Sequence, residues 1–199
     1  MLIYSEDSFS CVKQRVSELG KRPVIVTDHH VDALYGQRLK EILGAESIAI
    51  VPGELSKTRQ TKEHIENTLF ALGYTKDTVI IAMGGGVVTD IAGFVAATFC
   101  RGVPLIILPT SLMAMVDAAH GGKNGVNTHH GKNLIGTYYE ADMIIIDLRF
   151  LGSLSQTEIA SGLVEMYKVA AVSHRALFFD VNVSKECIQK SILCKNALV

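Results

Sequence analysis

DTVIIAMGGGVVTDIAGFVAATFCRGVPLIILP, residues 77–109, reads as a strand, a glycine turn, a helix and a second strand. DTVIIAMGGG (77–86) is apolar until it meets three glycines, and VPLIILP (103–109) is apolar almost throughout, as a strand covered on both faces should be. Between them Asp90 opens an Ala-rich helix, IAGFVAATF. Toward the N-terminus the same alternation continues. PVIVT (23–27) is a buried strand, VDALYGQRLKEILG (31–44) an amphipathic helix stopped by Gly44, and SIAIVPG (47–53) another strand. A helix then spans Lys57 to Gly73 with Ile65, Leu69 and Leu72 on one face. The order β-α-β-α-β-α-β predicts an α/β fold with a doubly wound parallel sheet. Ligands of such sheets bind at the carboxyl ends of the strands. The unusual residues fall there: Asp28, positions 52–57, 84–90 and 109–111.

Toward the C-terminus the chain changes character. DAAHGGKNGVNTHHGKNLIG (117–136) holds five glycines, two lysines and three histidines, with no carboxylate between Asp117 and Glu140. Too polar and glycine-rich for core, it is expected to be a binding loop on a rigid scaffold. Lys123 and Lys132 there would favour a phosphate or carboxylate; the competing reading is a solvated loop with surface lysines. ADMIIIDL (141–148) reads as a further strand. From about Gln156 only helical character remains: TEIASGLVEMYKVAAV, then ALFFDV, then KECIQKSILCKNAL. The expectation is a first domain over 1–150 and the beginning of a helical second domain over 151–199, unfinished at Val199.

Composition narrows the function classes. With 48% hydrophobic and 20% charged residues and a mean hydropathy of +0.28, the chain is globular rather than disordered. A formal net charge of −1 leaves no basic footprint, so no nucleic-acid partner is expected. Cys11, Cys100, Cys187 and Cys194 are scattered without a C-x-x-C pair, which suits a reducing cytoplasm. The N-terminal segment carries charge throughout and lacks the apolar region of a signal peptide. Its apolar runs fall short of the about 20 residues that span a bilayer, so no membrane association is expected.

Three patterns invite chemistry. Gly84, Gly85 and Gly86 between strand and helix would let a phosphate approach the backbone and the positive helix end. They fit the dinucleotide fingerprint poorly, because Thr89 takes the place of its last glycine. A plain tight turn is the alternative. Glu165 and Lys168 lie three apart and share a helix face, either as a surface ion pair or as a carboxylate kept for a metal. His129 and His130 are adjacent in a glycine loop and read as loop residues rather than metal ligands.

Taken together, PGELSKT (52–58), GGGVVTDIAGFVAATFCRG (84–102), LPTSLMAMVDAAHGGKNGVN (108–127), GKNLIG (131–136) and GLVEMYKVA (162–170) closely resemble the 3-dehydroquinate synthases, a family of sugar-phosphate cyclases. The resemblance implies a Rossmann-like NAD-binding domain followed by a helical metal- and substrate-binding domain. By motif it implies NAD contacts at Asp28, Glu54, Lys57, Gly84, Gly85, Gly86, Asp90, Thr110, Ser111 and Lys132, with Ser153 supplying a hydroxyl near the cofactor. Asp117, Lys123, Asn133 and Lys168 match substrate-site positions, and Lys195 matches another loosely. Glu165 matches a ligand to a divalent metal, zinc or cobalt. Arg101 matches an arginine that reaches the substrate phosphate of a neighbouring subunit, which implies a homodimer.

The implied reaction turns the phosphorylated sugar acid DAHP into 3-dehydroquinate in the shikimate pathway. Hydride passes to NAD and returns, phosphate leaves between, and an aldol step closes the ring. Departures from the family pattern are Thr89 for a glycine, His120 and Asn124 for the commoner Val and Thr, and FLGSLS (150–155) for F-L-x-T-L-P. The G-H-T-x-G-H-A-x-E region with two metal-binding histidines is missing from these residues. The chain is therefore expected to be a piece of a longer synthase, without turnover alone. Other readings are a different sugar-phosphate cyclase, a metal-dependent polyol dehydrogenase, or a non-catalytic nucleotide-binding module.

Overall fold

The computed structural model describes residues 1–173 and 183–197. Six parallel strands form one sheet, β1 (Leu2–Tyr4), β2 (Arg22–Asp28), β3 (Glu46–Ile50), β4 (Thr78–Gly84), β5 (Leu105–Pro109) and β8 (Met143–Ile146), in the order β1-β8-β5-β4-β2-β3. A separate antiparallel pair, β6 (Lys123–Thr128) and β7 (Gly131–Tyr138), lies outside it. The helices are α1 (Ser8–Leu19), a continuous helical run built from α2 (His29–Val31), a π-helical turn Asp32–Gly36 and α3 (Gln37–Leu43), then α4 (Arg59–Ala71), α5 (Gly86–Thr98), α6 (Gln156–Val172) and α7 (Lys185–Asn196).

The sheet is covered on both faces, as its continuous apolar strands require. One apolar cluster joins Ile25, Ile81, Met83, Ile106 and Leu108 to Val12, Val16 and Leu39 of α1 and α3. The other joins Val24, Val26, Ile80 and Leu105 to Ile65 and Leu69 of α4 and to Val88, Ile91 and Val95 of α5. All seven residues of β4 are buried, which marks it as the centre of the molecule. Met166, Ile188 and Ile192 of α6 and α7 enter the first cluster.

The parallel α/β sheet agrees with the reading from sequence, with four differences. The first nineteen residues form β1 and α1; β1 holds only three residues and, among the described residues, pairs only with the distant β8. Leu72 lies beyond the end of α4 as its C-cap and is 41% exposed, so it leaves the apolar face. Asp90 does not open α5: Gly85 is the N-cap and Asp90 sits a turn inside. Gly85 can take that place because the strand enters tightly, where a Cβ on Gly84 would meet Val88 Cβ at 2.6 Å.

The fourth difference is the largest. The glycine-rich stretch is an ordered hairpin rather than a loop, with Val126 opposite Ile135 and Gly125 opposite Gly136. Those glycines permit the strands to approach, since a Cβ on Gly136 would lie 1.9 Å from the Asn124 carbonyl oxygen. Val126 is fully buried against the α5 side of the core and anchors the hairpin. The ALFFDV segment read as helical lies outside the described residues.

Candidate functional site

Two cavities open at the carboxyl ends of the strands. The first, about 530 Å³, is lined by Asp28 at the end of β2, Pro52 and Gly53 after β3, Gly85 and Gly86 after β4, and Thr110 and Ser111 after β5. Ser153 closes it from the turn before α6. Each residue is locally fixed. Asp28 Oδ1 accepts the backbone N–H groups of His30 and Val31, capping α2. The Thr110 N–H donates to Gly84 O at 2.9 Å, extending the sheet past β5. Ser111 Oγ accepts the Ala114 N–H at 3.2 Å, and Ser153 Oγ donates to Phe150 O at 2.8 Å. The N-cap of α5 is Gly85, which supplies no capping side chain, so the helix turns uncapped N–H groups toward this groove.

The second cavity, about 500 Å³, is bounded by the hairpin and by the π-helical turn Ala114–Ala118 that follows β5. Asp90, Asp117, His120, Lys123, Asn133 and Lys195 line it. The two cavities meet at a thin wall: a Cβ on Gly86, which lines the first, would touch Ala118 Cβ of the second at 3.4 Å.

Charge is gathered densely here. Lys57, 5% exposed, pairs with Asp90 Oδ2 and donates to Asn133 Oδ1 at 2.6 Å. Burial pushes the Asp90 carboxyl above its usual range, against the pull of Lys57. Lys195 Nζ donates to both Oδ1 and the carbonyl oxygen of Asp117, each at 2.5 Å. The loosely matched lysine of α7 is thereby a member of the second cavity. Lys123 lines the cavity and makes no ion pair among the described residues, which leaves its ammonium for a ligand.

His120, 7% exposed, has its Nε2 2.8 Å from Met115 O. Burial pushes its pKa below the ordinary histidine value, and because a carbonyl oxygen only accepts, Nε2 is the donor to Met115 O. It lines the cavity yet was noted in the sequence only as a departure from the family pattern.

The remaining candidates stand apart from both cavities. Glu54 and Lys132 pair at 3.6 Å on the exposed rim. Glu165 and Lys168 pair on α6, and the carboxylate holds the lysine pKa above its usual value. The Glu165 oxygen that faces Lys168 is itself buried. Among the described residues no group of three His, Cys, Asp or Glu side chains is placed to hold a metal ion. Arg101, exposed and with φ of 69°, follows α5 and so sits toward the amino ends of the strands, away from both cavities. No helix among the described residues is long and apolar enough to cross a membrane.

Asn127 was also missed, although its side chain bonds to Glu54 and its backbone to Lys57. The available signal was its position between two lysines in the glycine-rich stretch.

Residues 47–161 match the family model described as 3-dehydroquinate synthase N-terminal. The chain is 42% identical over 180 residues to the pentafunctional AROM polypeptide of Pneumocystis carinii, covering 85% of this chain and 11% of that protein. With the pentafunctional AROM polypeptide of Candida glabrata it shares 42% identity over 159 residues, 78% of this chain and 10% of that one. It thus spans about a tenth of the length of these curated relatives. Among solved structures, a 2-deoxy-scyllo-inosose synthase complexed with carbaglucose-6-phosphate, NAD+ and Co2+ superposes with a TM-score of 0.83 at 25% identity, over 99% of this chain and 58% of that one. The 2-epi-5-epi-valiolone synthase of Streptomyces hygroscopicus subsp. jinggangensis, with NAD+ and Zn2+ bound, gives 0.83 at 26% identity, over 99% and 60%. With a family match over more than half of its residues, the chain belongs to the 3-dehydroquinate synthase N-terminal family.

Proposed function

We propose that this chain supplies the cofactor- and phosphate-binding part of a 3-dehydroquinate synthase, which converts DAHP to 3-dehydroquinate with release of phosphate. The observation that carries the reading is the adjacency of two unlike cavities at one sheet edge. One is floored by a glycine turn and a helix N-terminus, the other by Asp117, Lys123, Asn133 and Lys195. In this reading residues 1–150 hold the dinucleotide and residues 151–199 belong to a helical unit that helps to close the substrate cleft.

NAD fits the first cavity because Gly85 and Gly86 leave the backbone N–H groups accessible, and Asp28, Thr110, Ser111 and Ser153 ring the same groove. Glu54, Lys57, Asp90 and Lys132 do not line that groove and would have to reach the cofactor from outside it. When bound, it accepts and returns a hydride. The chain's own residues orient and neutralise the substrate. Lys123 and Lys195 attract its phosphate and carboxylate, and the Asn133 amide, fixed by Lys57, can donate to its oxygens. Lys168 would join them from α6. A divalent metal, zinc or cobalt, does not find its site among the described residues. Glu165 offers one carboxylate, whereas firm sites take about four ligands, so the described residues do not hold such an ion by themselves. Arg101, remote from the cleft of its own chain, would serve that of a second copy in a cytoplasmic homodimer.

Titration calorimetry with NAD+ tests the proposal. The folded chain should bind one NAD+, and Gly86→Val, which drives a side chain into the wall at Ala118, should abolish binding while the far-ultraviolet circular dichroism stays native. Lys123→Met should weaken binding of inorganic phosphate and leave NAD+ binding in place. A folded wild-type chain that binds no NAD+ overturns the reading.

A further inference from the structure

Of the side chains that join the segment after β3 to the hairpin, Asn127 is one that none of the proposed roles uses, beside the Lys57–Asn133 and Lys132–Glu54 contacts. Asn127, in β6, donates from Nδ2 to Glu54 Oε1 at 2.7 Å and accepts on Oδ1 the backbone N–H of Asn133 at 2.9 Å. Its backbone N–H donates to Lys57 O at 2.8 Å. Lys57 in turn holds Asn133 Oδ1 with its ammonium. These contacts close a ring that runs Glu54, Asn127, Asn133, Lys57, and back along the chain through 54–57.

The ring has a conformational purpose. Asn133 sits at φ 55°, a left-handed backbone that costs energy for any residue with a Cβ and that Asn tolerates best after glycine. The hydrogen bond to Asn127 stabilises the amide in that conformation. The left-handed turn is what brings the Asn133 side chain back onto Lys57 and into the wall of the polar cavity. Pro52 and Gly53, at the start of the same segment as Glu54, line the other cavity.

We infer that Asn127 is a positioning residue that couples the two cavities: it aligns Asn133 and Lys57 for an anionic ligand according to the state of the 52–57 segment. The inference rests on the functional reading above. Ordering of 52–57 by bound dinucleotide fixes Glu54, Glu54 fixes Asn127, and Asn127 fixes the turn at Asn133. The anion site is thereby better formed when the dinucleotide site is filled, and linkage makes the effect reciprocal.

Calorimetric titration of inorganic phosphate, with and without saturating NAD+, tests it. In the wild type NAD+ should raise phosphate affinity at least about 5-fold, the lower end of ordinary coupling between sites. Asn127→Ala should reduce that ratio to below about 2-fold, within the range of no coupling. NAD+ affinity without phosphate should change little, because Asn127 lines neither cavity. The variant keeps the backbone bond to Lys57 O, and Val126 still anchors the hairpin. Asn127→Asp retains the acceptor for Asn133 but sets a second carboxylate against Glu54, so it should keep the Asn133 amide protected from exchange while the coupling stays lost, a split that a bulk loss of stability would not give.

A measurement on the wild type alone guards against a variant that fails to fold. Bound NAD+ should slow hydrogen exchange of the Asn133 amide. Coupling equal to wild type in a folded Asn127→Ala protein overturns the inference. So does wild-type protein that binds both probes independently, or Asn133 exchange unmoved by NAD+; the functional reading survives all three. Absence of NAD+ binding to wild type is the distinct outcome that removes both.

Discussion

The glycine turn at 84–86 and the glycine-rich hairpin over β6 and β7 both border the candidate site, yet different forces hold them. The turn is set by packing: Val88 stands against Gly84, β4 is wholly buried, and no side-chain hydrogen bond caps α5. The hairpin has one fully buried apolar anchor, Val126, and is otherwise held by polar contacts from Lys57, Asn124 and Asn127. Apolar packing carries no titrating group, whereas buried polar pairs depend on both partners being present and correctly charged. On the proposed reading, the rigid turn would floor the dinucleotide site and the polar hairpin would form the adjustable wall of the anion site.

Removing the joint between the two regions should show this contrast most strongly. Lys57→Met leaves Asp90 buried without its cation, a change that costs about 3–5 kcal/mol. Asp90 already has a raised pKa in the folded protein, and the variant should raise it further. A group raised on folding contributes stability below its unfolded pKa and loses it as pH climbs through the folded value. The deficit of Lys57→Met against wild type should therefore be greatest at neutral pH and shrink toward pH 4, as denaturant titrations at several pH values would show. An equal deficit at every pH would mean that the pair matters by packing alone.

The next effect separates the regions. Gly136→Ala places a Cβ against the Asn124 carbonyl and should cost about 1–3 kcal/mol, as overpacking does. Native-state hydrogen exchange should show amides of 123–138 losing protection while those of β4 and β5 keep theirs. Uniform loss across both would make hairpin and sheet one cooperative unit and dissolve the comparison.

The smallest effect concerns His120. Its folded pKa is depressed by burial, so its contribution to stability is present above the unfolded value of about 6.5 and is lost as pH falls below it. Its slope cannot exceed about 1.4 kcal/mol per pH unit. His120→Gln keeps a donor for Met115 O and should flatten the fall in melting temperature between neutral pH and pH 5. An unchanged slope would assign that fall to other groups.

The sheet was legible because its strands are short, apolar and punctuated by glycine, which is the pattern that burial on two faces demands. Residues 52–57, 84–90 and 109–111 were correctly referred to the carboxyl edge, since topology alone fixes which loops lie there. Three residues of LIY could not be read as a strand, because their pairing is with Ile144, Ile145 and Ile146. The hairpin was hidden for another reason. GGKNGVNTHHGKNLIG shows no apolar alternation, because its strands are shaped by close glycine contacts and by Lys57, from outside the stretch. Asp90 was mistaken for a cap because the sequence does not reveal that Gly85 already begins the helix.

The position of β1 carries a consequence for biosynthesis. Among the described residues its only partner is β8, whose residues are translated about 140 positions later, whereas the block of β3, β2, β4 and β5, between residues 22 and 109, pairs within itself and only the outer edge of β5 waits for β8. On the ribosome that block can assemble while the first strand waits unpaired. The late closure of that edge is a long-range step with a high entropic barrier, and so the natural point for a chaperone to intervene.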